Sequence, residues 1–127
     1  MLRNLMNKLY KALLLIPQTV TATGNSSSQD VKDLMSLSFL LAVGTMAFTG
    51  TDKLTVVIEH SDDNSSFSTS TESDSIVLDT GAEDESVFAL EYKGSKRYAR
   101  LAWTEGGTVS VPMTVIGVGL SKIQPPA

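Results

Sequence analysis

The chain has 127 residues, 42% of them hydrophobic and 19% charged, with a formal net charge of −4 and no cysteine. That length suits one domain burying roughly two-thirds of its unfolded surface, and the composition is too apolar for a disordered chain. Absence of cysteine excludes disulfides and thiolate metal sites, and an acidic body lacks the basic surface that general nucleic-acid binding requires.

The charge is unevenly spread. Arg3, Lys8 and Lys11 occur in residues 1–11 with no acid, so this segment carries +3 and the remainder −7 of the net −4. A basic, apolar arm on an acidic body suggests electrostatic docking to a partner. Leu2, Leu5, Met6, Leu9 and Leu13 fall three or four residues apart, which gives residues 1–16 the only helical periodicity in the chain. Pro17 closes that segment. An isolated helix of this length is marginal, so the arm is expected to be either a short helix or an extended stretch laid against a neighbour. The run Ala12–Ile16 does not read as a signal peptide, because charges are interleaved up to Lys11 and Pro17-Gln18 stands where a small-residue cleavage site belongs. Leu34–Phe48 is too short for a membrane span and contains Ser36, Ser38, Gly44 and Thr45.

Beyond Pro17 the texture is that of strands. Gln18–Thr23 predicts a short strand, closed by the Gly24–Ser28 loop. Leu34–Val43 predicts a strand whose mixed apolar character suggests burial on both faces, and Gly44–Lys53 a loop. Leu54–His60 alternates cleanly, with Leu54, Val56 and Ile58 on one side. Ser61–Ser75 reads as a long exposed connection with Phe67 its only large apolar anchor. Strands at Ile76–Leu78 and Val87–Tyr92 flank an acidic turn, Asp79–Glu85. In the next strand, Tyr98–Thr104, Tyr98, Arg100 and Ala102 take one side, and Ala99, Leu101 and Trp103 join Arg97 on the other. Glu105-Gly106-Gly107 reads as a hairpin turn, and Thr108–Leu120 as the last strand, where Pro112 implies an edge position or a bulge. No βαβ alternation occurs. The pattern predicts an all-β, antiparallel sandwich, either a jelly roll or an immunoglobulin-like Greek key. Its parts are an arm at 1–16, a sandwich at 17–122 and an extended tail at 123–127.

Catalytic material is poor. His60, the sole histidine, stands beside Ser61 and Asp62, but neighbours on a strand point to opposite faces and make no triad. Asp62, Asp63, Glu83, Asp84 and Glu85 lack the ligand register of a calcium loop and read as solvated acidic turns. Gly106-Gly107 and the Gly117/Gly119 pair fit no phosphate-cradling motif. Phe88, Tyr92, Tyr98 and Trp103 could form a stacking platform, yet Phe88 and Trp103 read as core; in a carbohydrate-binding alternative Tyr98 and Trp103 would stack on a sugar. Lys93, Lys96, Arg97 and Arg100 are the densest basic cluster in the body, either a solvated turn or a contact for acidic groups on a partner.

Two segments carry a resemblance: Ser61-Asp62-Asp63-Asn64-Ser65-Ser66-Phe67, and Tyr92-Lys93-Gly94-Ser95-Lys96-Arg97-Tyr98-Ala99-Arg100. A strand ending in S-D-D-G-S-x-F, followed later by Y-x-G-x-K-R-Y-x-R, resembles small bacteriophage virion proteins that decorate or cement the capsid shell. Asn64 replaces the usual glycine of that turn and tolerates a left-handed conformation. The likeness runs from about Leu34 onward, with a looser one at the N-terminus. It implies a jelly-roll-like structural protein, not an enzyme and without cofactor or metal, on the capsid exterior after assembly in the host cytoplasm. Its implied partners are the major capsid protein and further copies of itself, as a dimer or trimer. Candidate capsid-binding residues are then Leu2, Arg3, Leu5, Lys8, Leu9 and Lys11 in the arm, with Lys93, Lys96, Arg97 and Arg100 in the body. A neck, tail or fibre-associated sandwich, with carbohydrate binding, is the alternative.

Overall fold

Apolar and polar side chains alternate along the long strands of the computed structural model, which describes residues 9–121. Among these residues the chain order is β1 (Leu9–Val20), β2 (Gly24–Asn25), β3 (Gln29–Asp30), β4 (Leu34–Val43), β5 (Ala47–Phe48) and β6 (Lys53–Ser61). There follow β7 (Ser68–Thr69), β8 (Ser75–Leu78), β9 (Val87–Glu91), β10 (Tyr98–Gly106) and β11 (Val109–Ser121). One sheet has the order β1-β11-β4-β9, with β5 on the end of β11. The other places β2 and β3 on one edge of β10, β6 on its other edge, and β7 and β8 beyond β6. Every pairing is antiparallel. The protein is an all-β antiparallel sandwich of jelly-roll-like layout.

The core lies between the sheets. Leu37, Phe39, Leu41 and Val43 of β4, with Val109, Val111, Met113 and Val115 of β11, face Leu54, Val56 and Ile58 of β6 and Ala99, Leu101 and Trp103 of β10. All are buried, and each large side chain removed from water in this way contributes about 1.5–3 kcal/mol before entropy is charged against it.

Residues 9–16 take the extended alternative. They do not form a helix, because Tyr10, Ala12 and Leu14 alternate inward while β11 supplies a continuous hydrogen-bonding partner. The strand runs on past Pro17 to Val20, so these residues are part of the sandwich itself. Register shifts between Leu13 and Leu15 and between Leu15 and Gln18 accommodate Pro17 on this edge strand. Met1–Lys8 and residues 122–127 lie outside the described residues.

Three other expectations are corrected. In β4 one face is buried, whereas the other is half-buried at Leu40 and Ala42 and exposed at Met35. Pro112 is on neither an edge strand nor a bulge, since β11 lies between β1 and β4. It is tolerated because β4 ends at Val43, and its backbone faces Gly44, whose N–H bonds its carbonyl at 2.8 Å. The turn after Gly106 makes no hairpin. It carries the chain from β10 in one sheet to β11 in the other, with Gly107 at φ 110 and Asp52 capping Thr108 N–H at 2.7 Å.

Candidate functional site

The two segments that carry the resemblance meet at one end of the β10–β6 sheet. Leaving β6, the chain turns on Asp63, whose Oδ1 accepts from Ser61 Oγ at 2.7 Å and from the backbone N–H of Ser65 and Ser66 at 2.9 Å each. Those donors, the Ser66 N–H foremost, hold the Asp63 carboxyl down at about 2. Asn64 sits at φ 60, the left-handed region that selects glycine or asparagine. Phe67 then lies beneath Arg100, whose guanidinium carbon is 3.9 Å from the ring centre and whose two nitrogens bond Glu59 Oε1 at 2.8 and 3.0 Å.

The second segment is organised by one hydroxyl. Tyr92 Oη accepts from Lys96 N–H at 2.9 Å, donates to the Lys96 carbonyl at 3.1 Å and meets His60 Nδ1 at 3.1 Å. A phenol has one proton to give, so Nδ1 of His60 carries the hydrogen of the third bond. Gly94 closes over the ring, where a Cβ would lie 2.6 Å from Tyr92 Cε1. Only glycine permits that approach. Burial, helped by the nearby Lys96, pushes the His60 pKa below its ordinary value, and burial raises that of Tyr92. His60 is therefore a neutral structural donor near pH 7. It and Ser61 project to opposite sides of β6, and Ser61 is spent on Asp63.

The four basic residues of this end are brought together, each with its own carboxylate. Lys93 pairs with Asp74 at 3.2 Å, Lys96 with Asp62 at 3.9 Å, Arg97 with Asp30 at 2.9 Å and Arg100 with Glu59 at 2.8 Å. The bonds from Arg97, and for Asp74 the Glu91 N–H followed by Lys93, hold both aspartates below the usual carboxylate range. The cluster is thus neutralised from within. Sequence reading missed the partners because Asp30 and Asp74 are distant along the chain. Lys11 is elsewhere, exposed on the edge strand of the other sheet, and Leu9 opens that strand. Leu2, Arg3, Leu5 and Lys8 are outside the described residues.

Trp103 is buried, Phe88 and Tyr92 are half-buried against the core, and Tyr98 lies under Arg97 at 5.1 Å. These aromatics do not line up as a stacking platform. Among the described residues no three His, Asp or Glu side chains gather as metal ligands.

A second surface was not singled out from sequence. On the outer side of the first sheet, Leu13, Ile116, Leu40 and Ala89 stand side by side across four strands. The adjoining row is Lys11, Val118, Ser38 and Glu91, and the row beyond Leu13 holds Thr114, Ala42 and Val87. Leu13 is 56% exposed, Ile16 64% and Val87 63%. Next to Ala42 and Thr114 the β1 bulge leaves a shallow groove of about 390 Å³, lined also by Pro17, Gln18 and Pro112. The other sheet turns Glu59, Arg100, Tyr98 and Thr55 outward instead. The apolar character of both faces of β4 was the sequence signal for this surface. An exposed apolar face of this kind marks a contact surface. No protein-family model, curated protein or solved structure matches this chain.

Proposed function

We propose that this protein is a bacteriophage virion structural protein, binding the outer capsid surface as a cement or decoration protein and strengthening contacts between major capsid subunits. One observation carries the reading. The two segments through which the chain resembles such proteins interlock as one structural node, by Lys96 on Asp62 and Arg100 on Phe67, with Tyr92 on His60 just before the first segment. The resemblance therefore rests on residues that build this sandwich end together, and a chance match of two separate stretches would not require them to meet.

The mechanism is adhesion by many copies. Lys93 and Arg97 are each 48% exposed in their ion pairs, so acidic groups on a coat subunit can take over these cations at small cost. Surface pairs of this kind contribute only about 0–1 kcal/mol each. The basic N-terminal residues Arg3 and Lys8, with Leu2 and Leu5, form the second contact. Modest contacts repeated over a shell accumulate into resistance to internal pressure.

Quantitative mass spectrometry of purified particles tests the reading through stoichiometry. Copies in the hundreds per particle support it. A handful per particle would assign the protein to the neck or tail, and its absence from particles would end the proposal.

A further inference from the structure

We propose that the outer face of the β1-β11-β4-β9 sheet is an isologous dimer interface, in which two copies pack face to face about a two-fold axis parallel to the strands. This inference stands apart from the capsid reading. It starts from the asymmetry of the sandwich, which turns one charged face and one apolar face to solvent. An apolar sheet face rimmed by polar groups marks a contact surface. The occupant follows from where the two charges of that face lie.

Lys11 on β1 and Glu91 on β9 end the same cross-strand row, with Val118 and Ser38 between them. Both are exposed, and among the described residues neither has an ion-pair partner, unlike Lys93, Lys96, Arg97 and Arg100. Three strand spacings of about 4.8 Å keep them too far apart to pair within one copy. A two-fold axis along the strands, between β11 and β4, sets β1 of one copy over β9 of the other. Lys11 then faces Glu91 of the second copy, and the pair occurs twice. The same operation puts Leu13 over Ala89, large against small, and Ile116 over Leu40 at the centre. A two-fold axis across the strands would instead set β1 on β1 and β9 on β9, so Lys11 could not lie over Glu91. Charge complementarity thus selects a second copy and one of its two symmetric placements.

The interface is small. Four strands about 4.8 Å apart with three outward rows about 6.8 Å apart present on the order of 400 Å² per copy. The total of about 800 Å² lies below the range of stable complexes, which corresponds to a weak dimer.

The test is sedimentation velocity over a concentration series reaching the high micromolar range, on the full chain. The unaltered protein is expected to move from monomer to dimer with rising concentration. Lys11→Glu and Glu91→Lys each place like charges at both contacts, and each alone is expected to weaken dimerisation at least tenfold. Mixed one to one, the two variants form a heterodimer in which every contact is again opposite in charge, and dimerisation returns. Circular dichroism confirms that both variants fold. A chain that stays monomeric throughout overturns the proposal, as does a dimer indifferent to both substitutions or a mixture that stays monomeric. Occupancy on capsid shells is measured separately, so loss of the dimer and loss of the capsid reading are distinguishable.

Discussion

A single phenolic oxygen holds one end of this sandwich closed. Tyr92 Oη satisfies both backbone groups of Lys96 and fixes the hydrogen of His60 on Nδ1. Tyr92→Phe keeps the ring under Gly94 but strands three polar groups in a part-buried place. It is expected to lower stability by about 1–3 kcal/mol, read as a lower urea midpoint at unchanged slope. Protonation gives a second check at this scale. The folded pKa of His60 lies below its ordinary 6.5, so on acidification the unfolded chain takes the proton first. Stability is therefore flat above about pH 6.5 and falls below it, levelling out once the folded His60 is also protonated. The Asp63 carboxyl titrates at about 2 in the fold against an ordinary 3.8. Its contribution is complete above pH 3.8 and lost as the pH falls to about 2, and Asp30 and Asp74 shift the same way. Thermal melts across pH should show two descending limbs. His60→Gln should abolish the upper limb and spare the lower; survival of the upper limb would contradict this assignment.

At the scale of elements, β1 shows why periodicity misled. Leucines three and four residues apart satisfy a helical face, yet positions 10, 12 and 14 of the same stretch alternate inward. The decision belongs to β11, whose edge on that side is filled, among the described residues, by β1 alone. Pro17 fits because the ladder is already broken by a bulge there, with Thr114 Oγ1 donating to the Leu15 carbonyl at 2.7 Å. A truncation follows from this register. Removal of residues 1–14 takes away half of β1 and the buried Leu14. This deletion should cost at least the 2–5 kcal/mol, roughly, of losing one buried leucine. Calorimetry on the full and shortened chains decides it, and equal melting temperatures would mean that β1 adds nothing to the sandwich.

Over the whole molecule, stability resides in the layer between the sheets, and the proposed dimer contact lies on the outside of one of them. Phe39, at the middle of β4, is the largest side chain of that layer with no exposure at all. Phe39→Ala is expected to destabilise by about 3–5 kcal/mol, through lost transfer energy and the cavity left behind. Chemical denaturation measures it, and a loss under about 1 kcal/mol would place the core elsewhere. Outer-face changes such as Lys11→Glu should leave this number untouched, since Lys11 contacts water and not the core. Stability and association are thereby separable by mutation.

Much of the architecture was legible in the residues. Alternation is a local property, so Leu54–Ile58, Ala99–Trp103 and Val109–Val115 disclosed their inward faces without any partner in view. Punctuation was equally legible at Asn64 and Gly94, where the backbone conformation or close approach tolerates few residue types. Which strand pairs with which was not, because Lys11 and Val118, or Arg97 and Asp30, approach only after long loops close. For that reason the carboxylates paired with the basic cluster came into view only in the fold. For the same reason the apolar face, spread over four strands distant in the chain, came into being only when tertiary pairing set those strands side by side.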